Sequence, residues 1–188
     1  MTWSRATSFM LAAAMVVLAG CAGGHDLPDY TVAGSDLPDG YAYLATNTTI
    51  WSAFNKQANL TGNPGSASVD SSMFKGDTSA PRPTAAYGGI ALKGTDKAPK
   101  AVLVSIAASY ADQAAREAAL AKLSDCSKLS GASGTASLGA AVLASGAIVS
   151  IVFAYDMGST HTAGQDVKAV SDGIAARTGA TLLCHIGF

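Results

Sequence analysis

A chain of 188 residues has room for one domain with a sizeable core and too little for two of ordinary size. Only 13% of its residues are charged against 49% apolar, and the formal net charge is −1, so no basic field exists to hold nucleic acid. Glu117 is the only glutamate, and the surface such a composition builds is neutral and rich in hydroxyls.

Arg5 supplies a positive charge ahead of an apolar and small-residue run from Phe9 to Leu18, which ends in Leu18-Ala19-Gly20-Cys21. The run is too short to span hydrocarbon, which takes about 20 residues, and it reads as an export signal rather than a span. A buried core helix is the alternative. Leu18-Ala19-Gly20-Cys21 resembles the lipobox of bacterial lipoproteins and matches it at each position. That resemblance implies a signal peptide at 1–20 and a mature N-terminus at Cys21. It also implies a thioether-linked diacylglycerol there, with palmitate-type chains holding the protein to the extracytoplasmic face of the cell membrane. Two acyl chains anchor stably, since each buried methylene contributes about 0.8 kcal/mol. Ala22 follows the cysteine, so the Asp that resembles a Gram-negative inner-membrane retention signal is missing.

Residues 21–40 are rich in Gly, Asp and Pro, and Asp26-Leu27-Pro28-Asp29 recurs as Asp36-Leu37-Pro38-Asp39. With little to bury, this stretch is expected to be a flexible tether. A single domain, 41–188, then begins where Tyr41, Tyr43 and Ala45 alternate as in a half-buried strand. Thr48 or Thr49 can cap a short helix carrying Ile50, Trp51, Phe54 and Ala58. Leu60 to Thr84, dense in Gly, Ser, Pro and Asp, reads as a long exposed loop. Tyr87 to Leu92 and Ala101 to Ala108 suit a hairpin across Lys93-Gly94-Thr95-Asp96-Lys97.

Tyr110 to Leu129 has helix composition, with Ala115, Ala119, Leu123 and Cys126 on one face. Leu138 to Leu143 and Ile148 to Tyr155 predict a second hairpin, its second strand apolar on both faces and therefore central. Thr162 and Gln165 match a capping box, and Ala163, Val167, Val170 and Ile174 make an apolar stripe. Gly179 sits where a C-cap belongs. A terminal strand follows, with Leu182, Cys184, Ile186 and Phe188 on one face. Once lipid takes Cys21, Cys126 and Cys184 are the remaining cysteines, both expected on inward faces in a compartment that permits disulfides. A bond between them would remove roughly 4 kcal/mol of unfolded-chain entropy. Two unpaired buried thiols are the alternative.

This order predicts an α+β fold, an antiparallel sheet with helices packed on one face and one disulfide. The order from about Tyr87 to Phe188, with a cysteine ending the first long helix, is similar to the extracellular sensor domains of mycobacterial PknH-like kinases and related actinobacterial lipoproteins. The resemblance implies an envelope sensor or binding module.

Catalytic residues are hard to assemble. Gly131-Ala132-Ser133-Gly134 lacks the Gly-x-Ser-x-Gly spacing of a nucleophile elbow, and no Walker or dinucleotide glycine loop is present. Asp156 and His161 supply at most two metal ligands, so neither a metal nor a cofactor is expected. The loop through Asp156, Ser159, Thr160 and His161 opens onto a helix N-terminus, where hydroxyls and free amides can hold a ligand. A plain helix entry is the competing reading, and His185 reads as solvent-facing. The expectation is therefore a non-catalytic domain that binds a small molecule or an envelope protein. A structural or assembly lipoprotein is the first alternative and a hydrolase on His161 or His185 the second.

Overall fold

Apolar runs broken by short polar turns pair with their sequence neighbours, and two long hairpins organise the domain. The computed structural model describes residues 25–43, 61–63, 66–68, 80–95, 98–121, 137–157 and 162–188. Among these the strands are β1 (Tyr41–Tyr43), β2 (Thr61–Asn63), β3 (Ser66–Ser68), β4 (Ala85–Thr95), β5 (Ala98–Ser109), β6 (Ser137–Ser145), β7 (Ile148–Asp156) and β8 (Thr181–Ile186). The α-helices are α1 (Gln113–Leu120) and α2 (Ala163–Thr178). All pairings are antiparallel, in the order β2-β3-β4-β5-β7-β6-β8, and β1 adds to β4 opposite Ala91 to Lys93. Both predicted hairpins form, and the doubly apolar β7 lies inside the sheet between β5 and β6. The architecture is α+β.

The expected single helical face is not what forms. Odd residues of β5, Leu103 and Ala107, join Ala141, Leu143, Val152 and Ala154 beneath the Val167, Val170 and Ile174 stripe of α2. Even residues, Val104, Ile106 and Ala108, join Ile90, Val142 and Val149 beneath Ala119 of α1. Central strands that are apolar at nearly every position need cover on both sides, so the helices divide between them. The helix predicted from Tyr110 to Leu129 is described only as Gln113–Leu120, begun by Asp112, whose Oδ1 accepts the Ala115 N–H at 2.7 Å. Leu123 and Cys126 lie outside the described residues, as does the short helix expected around Trp51.

Two more expectations are corrected. Within the stretch read as a long loop, β2 and β3 pair with each other and β3 continues onto β4, edge strands with no apolar alternation to announce them. The flexible tether gives way more completely: residues 27–40 form a strap across the α2 side of the sheet, in which Tyr30, Thr31 and Val32 are buried. Its backbone is satisfied by buried serines of the central strands. Ser150 Oγ donates to the Tyr30 carbonyl at 2.6 Å, and Ser105 Oγ accepts the Val32 N–H at 3.0 Å. Leu27 and Leu37, one from each Asp-Leu-Pro-Asp copy, pack against the same core. Pro-rich composition disfavours α-helix and central strand; it does not exclude a backbone-paired strap built on two 3-10 turns, Leu27–Tyr30 and Gly34–Asp36.

Candidate functional site

The end of the sheet where β7 enters α2 carries the polar residues expected to bind. Asp156, the last residue of β7, is 2% exposed, and its Oδ2 accepts the Thr162 N–H at 3.1 Å. It therefore holds the helix start. The Thr162/Gln165 capping box does not form: the Thr162 hydroxyl instead donates to Asp166 Oδ2 at 3.2 Å, and Gln165 is exposed. Asp166 is buried as well, and its Oδ2 also accepts the Tyr41 hydroxyl at 3.0 Å. Burial pushes the Tyr41 hydroxyl well above the ordinary phenol range, and the Asp166 charge, the hydrogen bond to it and the Asp156 charge push the same way. Lys93 Nζ stands 5.5 Å from the Tyr41 ring centre. These groups satisfy one another and tie β1 to α2. Ser159, Thr160 and His161 lie outside the described residues.

A second feature sits on the opposite face. Where α1 crosses the β6–β8 edge, Arg116, Glu117, Leu120, Ala121, Val142, Leu183 and Cys184 line a cleft of about 360 Å³, within the size range of small-molecule sites. Leu120, Val142 and Leu183 make it apolar, and Arg116 is its cation. The Arg116 side chain is 12% exposed, with Nη2 3.0 Å from Glu117 Oε1 and Nε buried without a hydrogen-bond partner. Gln113 Nε2 donates to the same Glu117 oxygen at 2.8 Å, and this bond, with Arg116 assisting against desolvation, holds the carboxyl below its usual range. Sequence reasoning passed over this pair. A lone Arg-Glu step in an alanine-rich helix was the available signal.

Cys184 is half-buried against the α1-side core, the inward placement expected of it, whereas Cys21 and Cys126 lie outside the described residues. Leu182 does not share its face. The β6–β8 register shifts between Val142 and Leu143, leaving Leu183 as the extra residue of a bulge, and both leucines are exposed. His185 is exposed, as expected, and stacks on Phe188 with ring centres 4.4 Å apart. Among the described residues no group of three or more His, Cys, Asp or Glu is placed to hold a metal, and no helix is long and apolar enough to cross a membrane. No family model matches the chain, and the comparisons with curated proteins and solved structures return no match.

Proposed function

We propose that this chain is an exported lipoprotein, acylated at Cys21 on the outer face of the cell membrane, whose domain binds a small ligand without turning it over. The observation that carries the binding reading is the cleft under α1: an apolar hollow of ligand size with a largely buried guanidinium that retains an unused donor. Apolar walls with a few placed polar groups are the usual make-up of such sites. Arg116 would meet an acceptor or anionic group of the ligand, and Leu120 and Val142 its apolar body. A Cys126–Cys184 disulfide would brace the cleft wall at β8, and an envelope sensor of the kind the PknH-like resemblance implies is the setting this reading fits.

Mass spectrometry of protein purified from membranes tests it. The expected result is an N-terminal peptide beginning at acylated Cys21, a Cys126–Cys184 cross-linked peptide without reductant, and a native spectrum carrying a small-molecule adduct. Arg116→Ala and Ala121→Trp, the latter filling the cleft, should each remove the adduct. An adduct indifferent to both would move binding elsewhere. Turnover of an ester or glycan, lost in His161→Ala or His185→Ala, would make the protein a hydrolase instead.

A further inference from the structure

The strap fixes where the lipid anchor enters the domain. Between Cys21 and Leu27 the chain can span no more than about 20 Å however it is arranged, and from Leu27 onward it is fastened to the sheet. The carbonyls of Asp29 and Thr31 accept from Arg177 in the last turn of α2, and the Tyr30 carbonyl accepts from Ser150, two residues beyond the start of β7. This is the end of the sheet formed by the β6–β7 turn, where Tyr110 N–H donates to the Ala147 carbonyl and Thr181 of β8 stands opposite Ala144. At that same end β8 presents Leu182 and Leu183, 39% and 50% exposed, at its bulge. The other large exposed apolar residues among those described, Tyr155 and Met157, lie at the far end with Lys100.

We propose that this end of the domain rests on the membrane, with Leu182 and Leu183 entering the boundary between headgroups and acyl chains. The inference depends on the reading of Cys21 as the lipid anchor and adds an orientation to it. A diacylglyceryl cysteine lies at the interface, and a short leash to a fixed entry point keeps the leucine end facing the bilayer. Apolar side chains carried there bury favourably. Asp26, Asp29 and Asp112 stand near the same end, so the contact is apolar and needs no anionic lipid.

The test uses the full lipidated protein in phosphatidylcholine vesicles whose acyl chains are brominated, with tryptophan placed by Leu183→Trp, by Leu182→Trp as its replacement should the first misfold, and by Gln165→Trp at the far end. Gln165 is exposed in the first turn of α2, about 25 Å away along the strands. Relative to the unsubstituted protein, which shares Trp51, the emission added at 183 should fall by about half and that at 165 by less than roughly a tenth. Protein that floats with the vesicles but is quenched at neither position overturns the orientation and leaves the anchor standing. Blue-shifted but unquenched emission at 183 also overturns it, because the side chain is then buried in the cleft under α1 or against a protein partner and not in lipid. Protein that neither floats nor carries acyl mass on Cys21 removes both readings.

Discussion

Arg177 shows how much one side chain can organise. Its Nη1 lies 2.5 Å from Asp36 Oδ2, its Nη2 donates to the carbonyls of Thr31 and Asp29 at 2.9 and 3.1 Å, and its Nε donates to Asp29 as well. Truncation would leave the half-buried Asp36 carboxylate without its cation, held by the Ala33 N–H and the Ser35 hydroxyl, and would remove the guanidinium donors from the Asp29 and Thr31 carbonyls. Arg177→Ala should therefore lower the unfolding free energy by about 2–3 kcal/mol, read as a shift in urea midpoint. Lys168→Ala is the control: its 2.6 Å bridge to Asp172 lies in solvent, and its loss should cost less than about 0.5 kcal/mol. Equal effects would mean that the clamp does not hold the strap. Tyr41 gives a second residue-scale expectation, in pH. Its hydroxyl is raised by burial and by Asp166, so the folded state favours the neutral form. The stability this supplies is complete below the unfolded phenol value of about 10 and declines as pH rises beyond it, because the unfolded chain then releases a proton that the folded one keeps. Tyr43 and Tyr110, raised chiefly by burial, act in the same direction. Tyr41→Phe should flatten the alkaline decline in unfolding midpoint, and an unchanged slope would place the Tyr41 proton elsewhere.

At the scale of elements, α2 and β8 show what periodicity reveals and what it hides. The stripe Ala163, Val167, Val170 and Ile174 was legible because the 3.6-residue repeat is local, and all four residues are fully buried. Gly179 likewise ends the helix in the left-handed region, φ 68°, as the sequence predicts. The face of β8 was not legible. One bulge residue reverses the alternation, and whether a bulge forms depends on the neighbouring strand rather than on β8 itself. The close approach of α2 to the sheet was equally hidden. A Cβ on Gly164 would overlap the Gly187 carbonyl, and one on Gly139 would overlap the carbonyl of Ala163, so backbone meets backbone where the helix starts. Gly164→Ala, helpful by propensity alone, should instead destabilise by about 2–3 kcal/mol or more, since neither backbone can yield cheaply. A thermal midpoint at or above that of the parent would show that the helix start has room to shift.

For the whole molecule, the sequence made the two hairpins and the last helix readable because each rests on contacts between near neighbours. The strap was unreadable because its partners are far along the chain: Val32 meets Ser105 and Tyr30 meets Ser150. The cleft was hidden for the same reason, since it arises where α1 meets β6 and β8. If the strap belongs to the domain, a domain boundary at Tyr41, where composition suggests one, cuts into the core. Protein beginning at Tyr41 loses the buried Tyr30 and Val32 and the packed Leu27 and Leu37, and it uncovers Leu103 and Ala107 and strands the hydroxyls of Ser105 and Ser150. Fully burying one such apolar side chain is worth about 1.5–3 kcal/mol, from which the entropy of ordering the strap must be subtracted. The net loss on removal should still reach about 2 kcal/mol, a large share of a typical domain's stability. Protein beginning at His25 should match the full mature chain in urea midpoint, whereas protein beginning at Tyr41 should unfold earlier and bind a dye specific for exposed apolar surface. Coincident unfolding curves for the two would return residues 25–40 to the role of a tether, and with it the freedom of the domain to turn above its anchor.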